Sequence, residues 1–291
     1  MIVRDVAYRK VCPLNSIGFQ HLQVGACRYG VMVWPKSDAT IGRSLGLYGE
    51  FAEAENRLMS RFVGTGDIAV DVGANLGTTV LPLAKAVGTT GQVIAFEPQP
   101  LMAQCLQTSL TLNEYFNVRV ISSALADRPG WARIPAPQVT QGGNYGAMAL
   151  GSEGLQVPVM RLDDFEISSC ALLKIDVEGF EWSVVQGAQQ QLLRHRPVLY
   201  LEAKRISGTV AYLDWLMNNG WRCYWHFAFF YRSDNFRGNK ENIFGGTGDM
   251  NVLAVPIDRE QPDDLPEIQR QDEDWRQVYG AFYQQRGMAI P

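Results

Sequence analysis

The sequence predicts an α/β protein with a mostly parallel sheet flanked by helices, and three observations predict it. A short apolar run, Ile68 to Val72, leads into the turn Asp71-Val72-Gly73-Ala74-Asn75-Leu76-Gly77. A second run, Gln92 to Phe96, ends in an acid, Glu97, and the segment Thr78 to Val87 between the two has helical apolar spacing and stops at Gly88. Further apolar runs then alternate with helical stretches, the pattern of parallel strands joined by crossover helices.

Residues 1 to about 47 carry short apolar alternations such as Val31-Met32-Val33-Trp34 and read as a small β-rich cap. From Tyr48 to Phe62 the pattern turns helical, with Phe51, Ala54, Leu58 and Phe62 on one stripe. Pro82 sits inside the next helical pattern, where it counts as a mild defect. Leu101–Leu112 reads as a helix and Val118–Ile121 as a strand. Residues 130–160, rich in Gly, Pro, Thr and Ser, read as an inserted hairpin or mobile loop over the sheet edge. Ala171–Asp176 is a strand, Phe180–Leu193 a helix, Pro197–Glu202 a strand and Val210–Asn218 a helix stopped by Asn219-Gly220. Arg222–Trp225 and Asn251–Val255 complete seven strands, the last one antiparallel. The acidic stretch from Asp258 to Asp274 reads as a solvated extension, with a helix from Asp274 to Gln285 packing back. The expected division is a cap (1–47), a main domain (48–257) and a C-terminal extension (258–291).

Composition excludes several classes. The apolar fraction of 46% is that of a globular protein. A net charge of −4 with no Lys/Arg cluster offers no footprint for nucleic acid, so no such partner is expected. The five cysteines are scattered without metal or redox spacing and read as free buried thiols in a reducing compartment. The polar N-terminus and the absence of any long apolar stretch predict no membrane span and a cytoplasmic protein.

The chemistry starts at the turn. Strand, Gly-rich turn, helix, strand and acid form the plan of a nucleotide-binding βαβ unit, in which the acid accepts hydrogen bonds from ribose hydroxyls. The turn lacks the G-x-G-x-x-G spacing that seats a pyrophosphate on a helix N-terminus. An acid beside Gly73 repels phosphate but suits an ammonium or sulfonium group. Three further acids stand at strand ends, where open α/β sheets bind ligands: Asp176, Glu178 two positions on, and Glu202. Together they can bind a divalent cation such as Mg²⁺, or one of them can serve as a general base; the competing roles are helix capping and pairing with Lys204 or Arg205. Among the three histidines, His226 at the end of the sixth strand is the best candidate imidazole base. The loop after it, with Asn235, Asn239, Asn242, Phe236 and Phe244, suits a sugar or a polar polyketide.

The turn at 71–77, Phe96-Glu97-Pro98 and Leu173-Lys174-Ile175-Asp176-Val177-Glu178-Gly179-Phe180-Glu181 together resemble the FkbM family of S-adenosylmethionine-dependent methyltransferases, as does the lead-in Tyr48-Gly49-Glu50-Phe51 with Glu55. The resemblance covers roughly residues 38–255. It implies a Rossmann-like class I methyltransferase fold and methyl transfer, typically to oxygen. It also implies that Gly73, Asn75 and Gly77 line the methionine part of S-adenosylmethionine, that Asp71 lies near the amino group, that Glu97 holds the ribose, and that Ala124 and Asp127 flank the adenine. Glu50 joins these cofactor-binding candidates through the lead-in. The expected function is an O-methyltransferase acting on a hydroxyl of a sugar, glycan or secondary metabolite. The alternatives are a nicotinamide-dependent oxidoreductase, a non-catalytic cofactor-binding protein, and an N-methyltransferase on a small-molecule or peptide acceptor.

Overall fold

The computed structural model describes residues 19–137, 139–203, 206–270 and 273–286. Residues 1–18 of the expected cap therefore lie outside the described residues. The rest of the cap forms a hairpin of β1 (Leu22–Cys27) and β2 (Gly30–Pro35), and helices α1 (Ile41–Tyr48) and α2 (Glu53–Met59) come after it. Helix α1 is not the β structure expected there. Ile41, Leu45 and Tyr48 bury one stripe at helical spacing, a signal diluted in the sequence by Gly42 and Gly46. The helix expected from Tyr48 to Phe62 is shorter, because Ala52 takes a left-handed conformation (φ 54°) before α2 begins and the end tightens into a 3₁₀ turn at Ser60–Phe62.

The central unit runs β3 (Ile68–Val72), α3 (Val80–Val87), β4 (Gln92–Phe96), α4 (Pro100–Leu112) and β5 (Val118–Ile121). A short β6 (Ala124–Leu125) leads to β7 (Gly130–Ile134) and β8 (Leu155–Met160), which pair antiparallel, with β6 parallel to β8 on its other side. The second half is β9 (Leu172–Ile175), α5 (Glu181–Gln186), α6 (Gln189–His195), β10 (Val198–Glu202), α7 (Ile206–Asn218), β11 (Trp221–Phe229), β12 (Gly248–Pro256) and α8 (Trp275–Gln285). The seven-stranded sheet has the order β11-β12-β10-β9-β3-β4-β5, with only β12 antiparallel to its neighbours. The first strand, β3, has β4 on one side and β9 on the other. That is the topological switch point of a doubly wound sheet, and its crevice opens at the C-terminal strand ends. Side chains alternate across the sheet, so Ala69, Tyr200 and Leu253 pack under α2–α4 while Val70, Leu199 and Val252 pack under α5–α8.

Local chemistry explains the departures from the expected elements. The helix Phe180–Leu193 is split into α5 and α6 at Gly187. A Cβ there would stand 2.1 Å from the carbonyl oxygen of Ala126, so the chain must pass this point without a side chain. Pro82 is no defect: α3 begins at Val80, and the first-turn N–H that Pro82 lacks has no partner within the helix to lose. The carbonyl of Thr78, which lies just ahead of the helix, accepts instead from Asn56 Nδ2 at 3.1 Å. Pro82→Ala is accordingly expected to shift the urea unfolding free energy by no more than about 0.5 kcal/mol.

The C-terminal segment corrects another expectation. Trp225 N donates to Pro266 O at 2.9 Å and Ile268 N to Cys223 O at 2.7 Å, so residues 266–268 pair along the outer edge of β11 and bury Leu265 and Ile268. This stretch is an edge cover rather than a solvated extension, since the exposed edge of β11 would otherwise present unpaired backbone groups. Helix α8 begins one residue past Asp274, whose carboxylate accepts from Arg276 N. Four cysteines, Cys27, Cys105, Cys170 and Cys223, are buried free thiols, and Cys12 lies outside the described residues.

Candidate active site

The turn after β3 is built by three residues with positive φ: Gly73 (85°), Asn75 (47°) and Gly77 (87°). Gly73 N and Ala74 N both donate to Phe96 O at 3.0 Å, which ties the turn to the end of β4. The next residue, Glu97, is 3% exposed. Its Oε2 accepts from Asn75 N and its Oε1 from Gln99 N, each at 2.7 Å. Burial pushes its carboxyl up to about 7, and these two backbone donors oppose the shift. A carboxylate has about four acceptor sites, so each oxygen retains room for a hydroxyl donor.

Glu97 stands in a cleft at the switch point, walled by Gly73 and Asn75 on one side and by Ser123, Ala124 and Leu125 on another. Asp176 and Glu178 border it, and Met148 and Leu150 close it from above. The roof comes from the loop between β7 and β8, the stretch expected to be an inserted hairpin. It is stitched down: Gln99 Nε2 donates to Tyr145 O at 2.9 Å, the hydroxyls of Tyr145 and Ser37 lie 2.8 Å apart, and Ala39 N donates to Gly143 O at 2.9 Å. Gln99, Ser123 and Met148 were not singled out from the sequence. The position of Gln99 two residues beyond Glu97 was the only available signal.

Several expected cofactor residues do not line the cleft and have partners within the scaffold. A Cβ on Gly77 would meet Leu106 Cδ1 at 2.4 Å, so this glycine admits helix α4 rather than a ligand. Glu50 accepts from Arg28 Nε and from Phe236 N, both at 2.7 Å, joining the hairpin to the loop after β11. Asp127 accepts from Ser183 Oγ at 2.6 Å and so holds α5. Asp71 is fully buried, and its Oδ1 lies 3.4 Å from the ammonium of Lys174. None of these four lines the cleft.

The three strand-end acids do converge. Carboxylate oxygens of Asp176, Glu178 and Glu202 lie within 4.8 Å of one another. Neither Asp176 nor Glu178 caps α5, which has no side-chain cap at Phe180. The turn before it is held by Glu181, whose Oε1 accepts from Val177 N at 3.2 Å and from Gly179 N at 2.9 Å. Glu178 and Gly179 both take positive φ, 56° and 94°, a costly backbone for a non-glycine residue. Lys204 and Arg205, the expected partners of Glu202, lie outside the described residues. An all-oxygen donor set of this span fits a hard divalent cation, whose oxygen ligands stand about 2.0–2.6 Å from the ion.

His226 is not a base of this cleft. It lies in a separate surface depression with Arg57, Arg61 and Tyr279, and its Nδ1 is 2.7 Å from Tyr200 Oη. Burial pushes its imidazole down to about 4, with Asp264 opposing. The group therefore lowers stability as pH falls from its ordinary value near 6.5 through about 4, because the unfolded chain takes up the proton first. His226→Phe should cost about 1–3 kcal/mol in urea unfolding by stranding the Tyr200 hydroxyl, and should leave cofactor affinity unchanged by calorimetry. The asparagine loop is also structural. Asn235 Nδ2 donates to Arg232 O and Asn239 O, Asn239 Oδ1 accepts from Glu241 N, and Asn242 bridges Phe244 N and Gly245 O. These amides satisfy the loop's own backbone, as Asx turns do, and are committed before any acceptor arrives.

Among the described residues no helix is long and apolar enough to cross a membrane. A search of curated proteins finds no significant match. Among solved structures the chain is similar to an FkbM methyltransferase from Methylobacillus flagellatus KT, at 17% identity over 66% of this chain and 44% of that one, with a TM-score of 0.46. It thus spans less than half the length of that protein. It is also similar to a SAM-dependent O-methyltransferase from Thermotoga maritima, at 12% identity over 82% of this chain and 79% of that one, with a TM-score of 0.45. The family model described as the methyltransferase FkbM domain matches residues 71–223, from Asp71 of the turn through β9, the acid cluster and into β11, just over half of the chain; this protein belongs to the FkbM methyltransferase family.

Proposed function

We propose that this methyltransferase uses S-adenosylmethionine and methylates a hydroxyl of a sugar, a glycan or a polyketide-like secondary metabolite. The unit carrying this activity would span residues 48–257, with the N-terminal cap and the C-terminal segment as supports. One observation carries the reading. The switch-point cleft holds a buried carboxylate, Glu97, backed by two N–H donors, and is bordered by the carboxylates of Asp176 and Glu178.

When bound, the cofactor supplies a methyl group already activated on a sulfonium. The chain then has to hold and orient. Glu97 would accept the ribose hydroxyls, Ala124, Leu125 and Met148 would hold the base, and Gly73 and Asn75 would hold the methionine part; all of them line the cleft. Orientation of this kind is worth roughly 7–11 kcal/mol in favourable cases. A carboxylate of Asp176 or Glu178 would take the proton of the acceptor hydroxyl as the methyl carbon passes from sulfur to that oxygen and the neutral thioether leaves, a contribution of about 10²–10⁴-fold. A hydroxyl needs this base at the moment of attack, and a neutral amine does not, which favours oxygen over nitrogen. Asp176, Glu178 and Glu202 would hold Mg²⁺ or a similar ion if one binds, and that ion would lower the pKa of the acceptor hydroxyl.

Calorimetry with S-adenosylhomocysteine is expected to show micromolar or tighter binding; no heat at high micromolar ligand sinks the cofactor assignment. A cofactor-consumption screen over hydroxylated glycans and natural-product precursors then identifies the acceptor, and a methyl group found on nitrogen overturns the oxygen assignment. Loss of turnover in EDTA with recovery in Mg²⁺ would establish the metal. Full turnover in EDTA assigns the three acids to proton transfer.

A further inference from the structure

Lys174 is the one basic residue of the Leu173-to-Glu181 stretch, and it does not line the cleft. It is 4% exposed, in the middle of the sheet, on the face covered by α2. Its register neighbours are Asp71 on β3 and Tyr200 on β10. The ammonium stands 3.1 Å from Asp176 Oδ2 and 3.4 Å from Asp71 Oδ1. Glu55 of α2 is buried on the same side of the sheet, with Oε1 accepting from Asn251 Nδ2 at 3.2 Å. Burial pushes the Glu55 carboxyl up to about 8, against the pull of Lys174.

The two ion pairs of Lys174 differ in kind. Asp71 is fully buried, while the side chain of Asp176 is 42% exposed at the cleft. A buried Lys–Asp pair alone adds little stability, since an apolar pair of the same volume often does as well. Stability therefore does not explain why the ammonium also reaches out of the core to Asp176. A lysine ammonium has three donors and no fixed plane, so it can hold one oxygen of a buried carboxylate and one oxygen of a surface carboxylate at once. Asp71 anchors the ammonium, and the ammonium donates to Oδ2 of Asp176 and so restrains that carboxylate.

We infer that Lys174 is a positioning residue: anchored on Asp71, it fixes the carboxylate of Asp176 at the border of the cleft and thereby sets the direction from which that carboxylate meets the acceptor. The geometric half concerns Lys174, Asp71 and Asp176 alone. The catalytic half rests on the role proposed above for Asp176. Loss of the ammonium frees Asp176 to rotate about its side-chain torsions, with little effect on the Glu97 end of the cleft.

Four proteins test this at pH 7: the wild type, Asp71→Asn, Lys174→Met, and the double variant Asp71→Asn/Lys174→Met. The double variant keeps the fold testable, because it removes both buried charges together where Lys174→Met alone strands Asp71. Crystal structures and calorimetry with S-adenosylhomocysteine are the primary measurements, and neither needs a known acceptor. In the wild type, and in Asp71→Asn, whose amide oxygen still accepts from the ammonium, Asp176 is expected in one conformer on Lys174. In the double variant its carboxylate is expected to move by more than about 1 Å or to split over two conformers, with ligand affinity within threefold of wild type. With any acceptor from the screen, kcat should then fall about 100-fold with KM within threefold, a split that a merely structural pair would not produce. An unmoved Asp176 in the double variant overturns the inference, as does a kcat within threefold of wild type. Absence of S-adenosylhomocysteine binding in the wild type overturns the cofactor assignment instead, and leaves the conformer comparison to decide on Lys174.

Discussion

Gly73→Ala should unfold the protein or cost several kcal/mol, on the order of 3–5 in urea unfolding. Two penalties combine at this residue. Its φ of 85° is a conformation in which an L side chain is strained. The added Cβ would also stand 1.9 Å from the carbonyl oxygen of Asp176 and 3.0 Å from its carbonyl carbon. Neither backbone can yield. Asp176 N donates to Val72 O, and Gly73 N donates to Phe96 O, both at 3.0 Å. Relief would require breaking the ladder on one side of β3 or the other. Gly46→Ala is the matching control: it lies in α1 with nothing within 4 Å of the new methyl, so alanine should stabilise by roughly 0.5–1 kcal/mol. A Gly73→Ala protein within about 1 kcal/mol of wild type would refute this account, taking 1 kcal/mol as the ordinary size of a point-mutant effect.

Glu97→Gln should weaken S-adenosylhomocysteine binding about 100-fold or more, given about 1.5–3 kcal/mol for each hydrogen bond to a charged group. Both carboxylate oxygens already accept a backbone N–H at 2.7 Å. The amide of glutamine must turn an NH₂ toward one of those donors, so the turn and the ribose contact fail together. The pH dependence comes from the carboxyl standing at about 7 in the free protein. The ionised form is the one that accepts the hydroxyls, so binding releases a proton. Affinity should then hold above pH 7 and fall by up to tenfold per unit below it, and the Gln variant should lose this slope. The same shift bears on stability with its own sign. Because the folded-state value lies above the ordinary 4.5, the stability it contributes is present below pH 4.5 and is lost as pH rises through about 7. A slope of Kd against pH that is unchanged in Glu97→Gln would remove Glu97 from the ribose site.

The turn at 71–77, the acid closing β4 and the three acids at the ends of β9 and β10 were legible because each depends on local chemistry. An apolar run bounded by glycine makes a buried strand, and an acid at its end lies at the crevice whatever the rest of the chain does. Asp176, Glu178 and Glu202 accordingly meet as expected. The expected site residues that do not line the cleft have partners distant in the chain. Asp71 faces Lys174, Glu50 faces Arg28 and the backbone of Phe236, Asp127 faces Ser183, and His226 faces Tyr200. An acid or imidazole near a site motif reads as functional until a second element is seen to neutralise or bury it. The loop that roofs the cleft was expected over the sheet edge, but its anchoring was invisible for the same reason: Ser37 and Ala39, which hold it, come from the N-terminal segment.

The sequence by itself determined the fold class, the strand that carries the turn, and the carboxylates at the strand ends, because strand periodicity and turn chemistry act over a few residues. Only the tertiary structure decided which charged groups are free for chemistry and which are consumed by the scaffold. That choice depends on burial and on counter-charges brought together by sheet register, as Lys174 is brought between Asp71 and Asp176, and neither burial nor register is a local property of the chain.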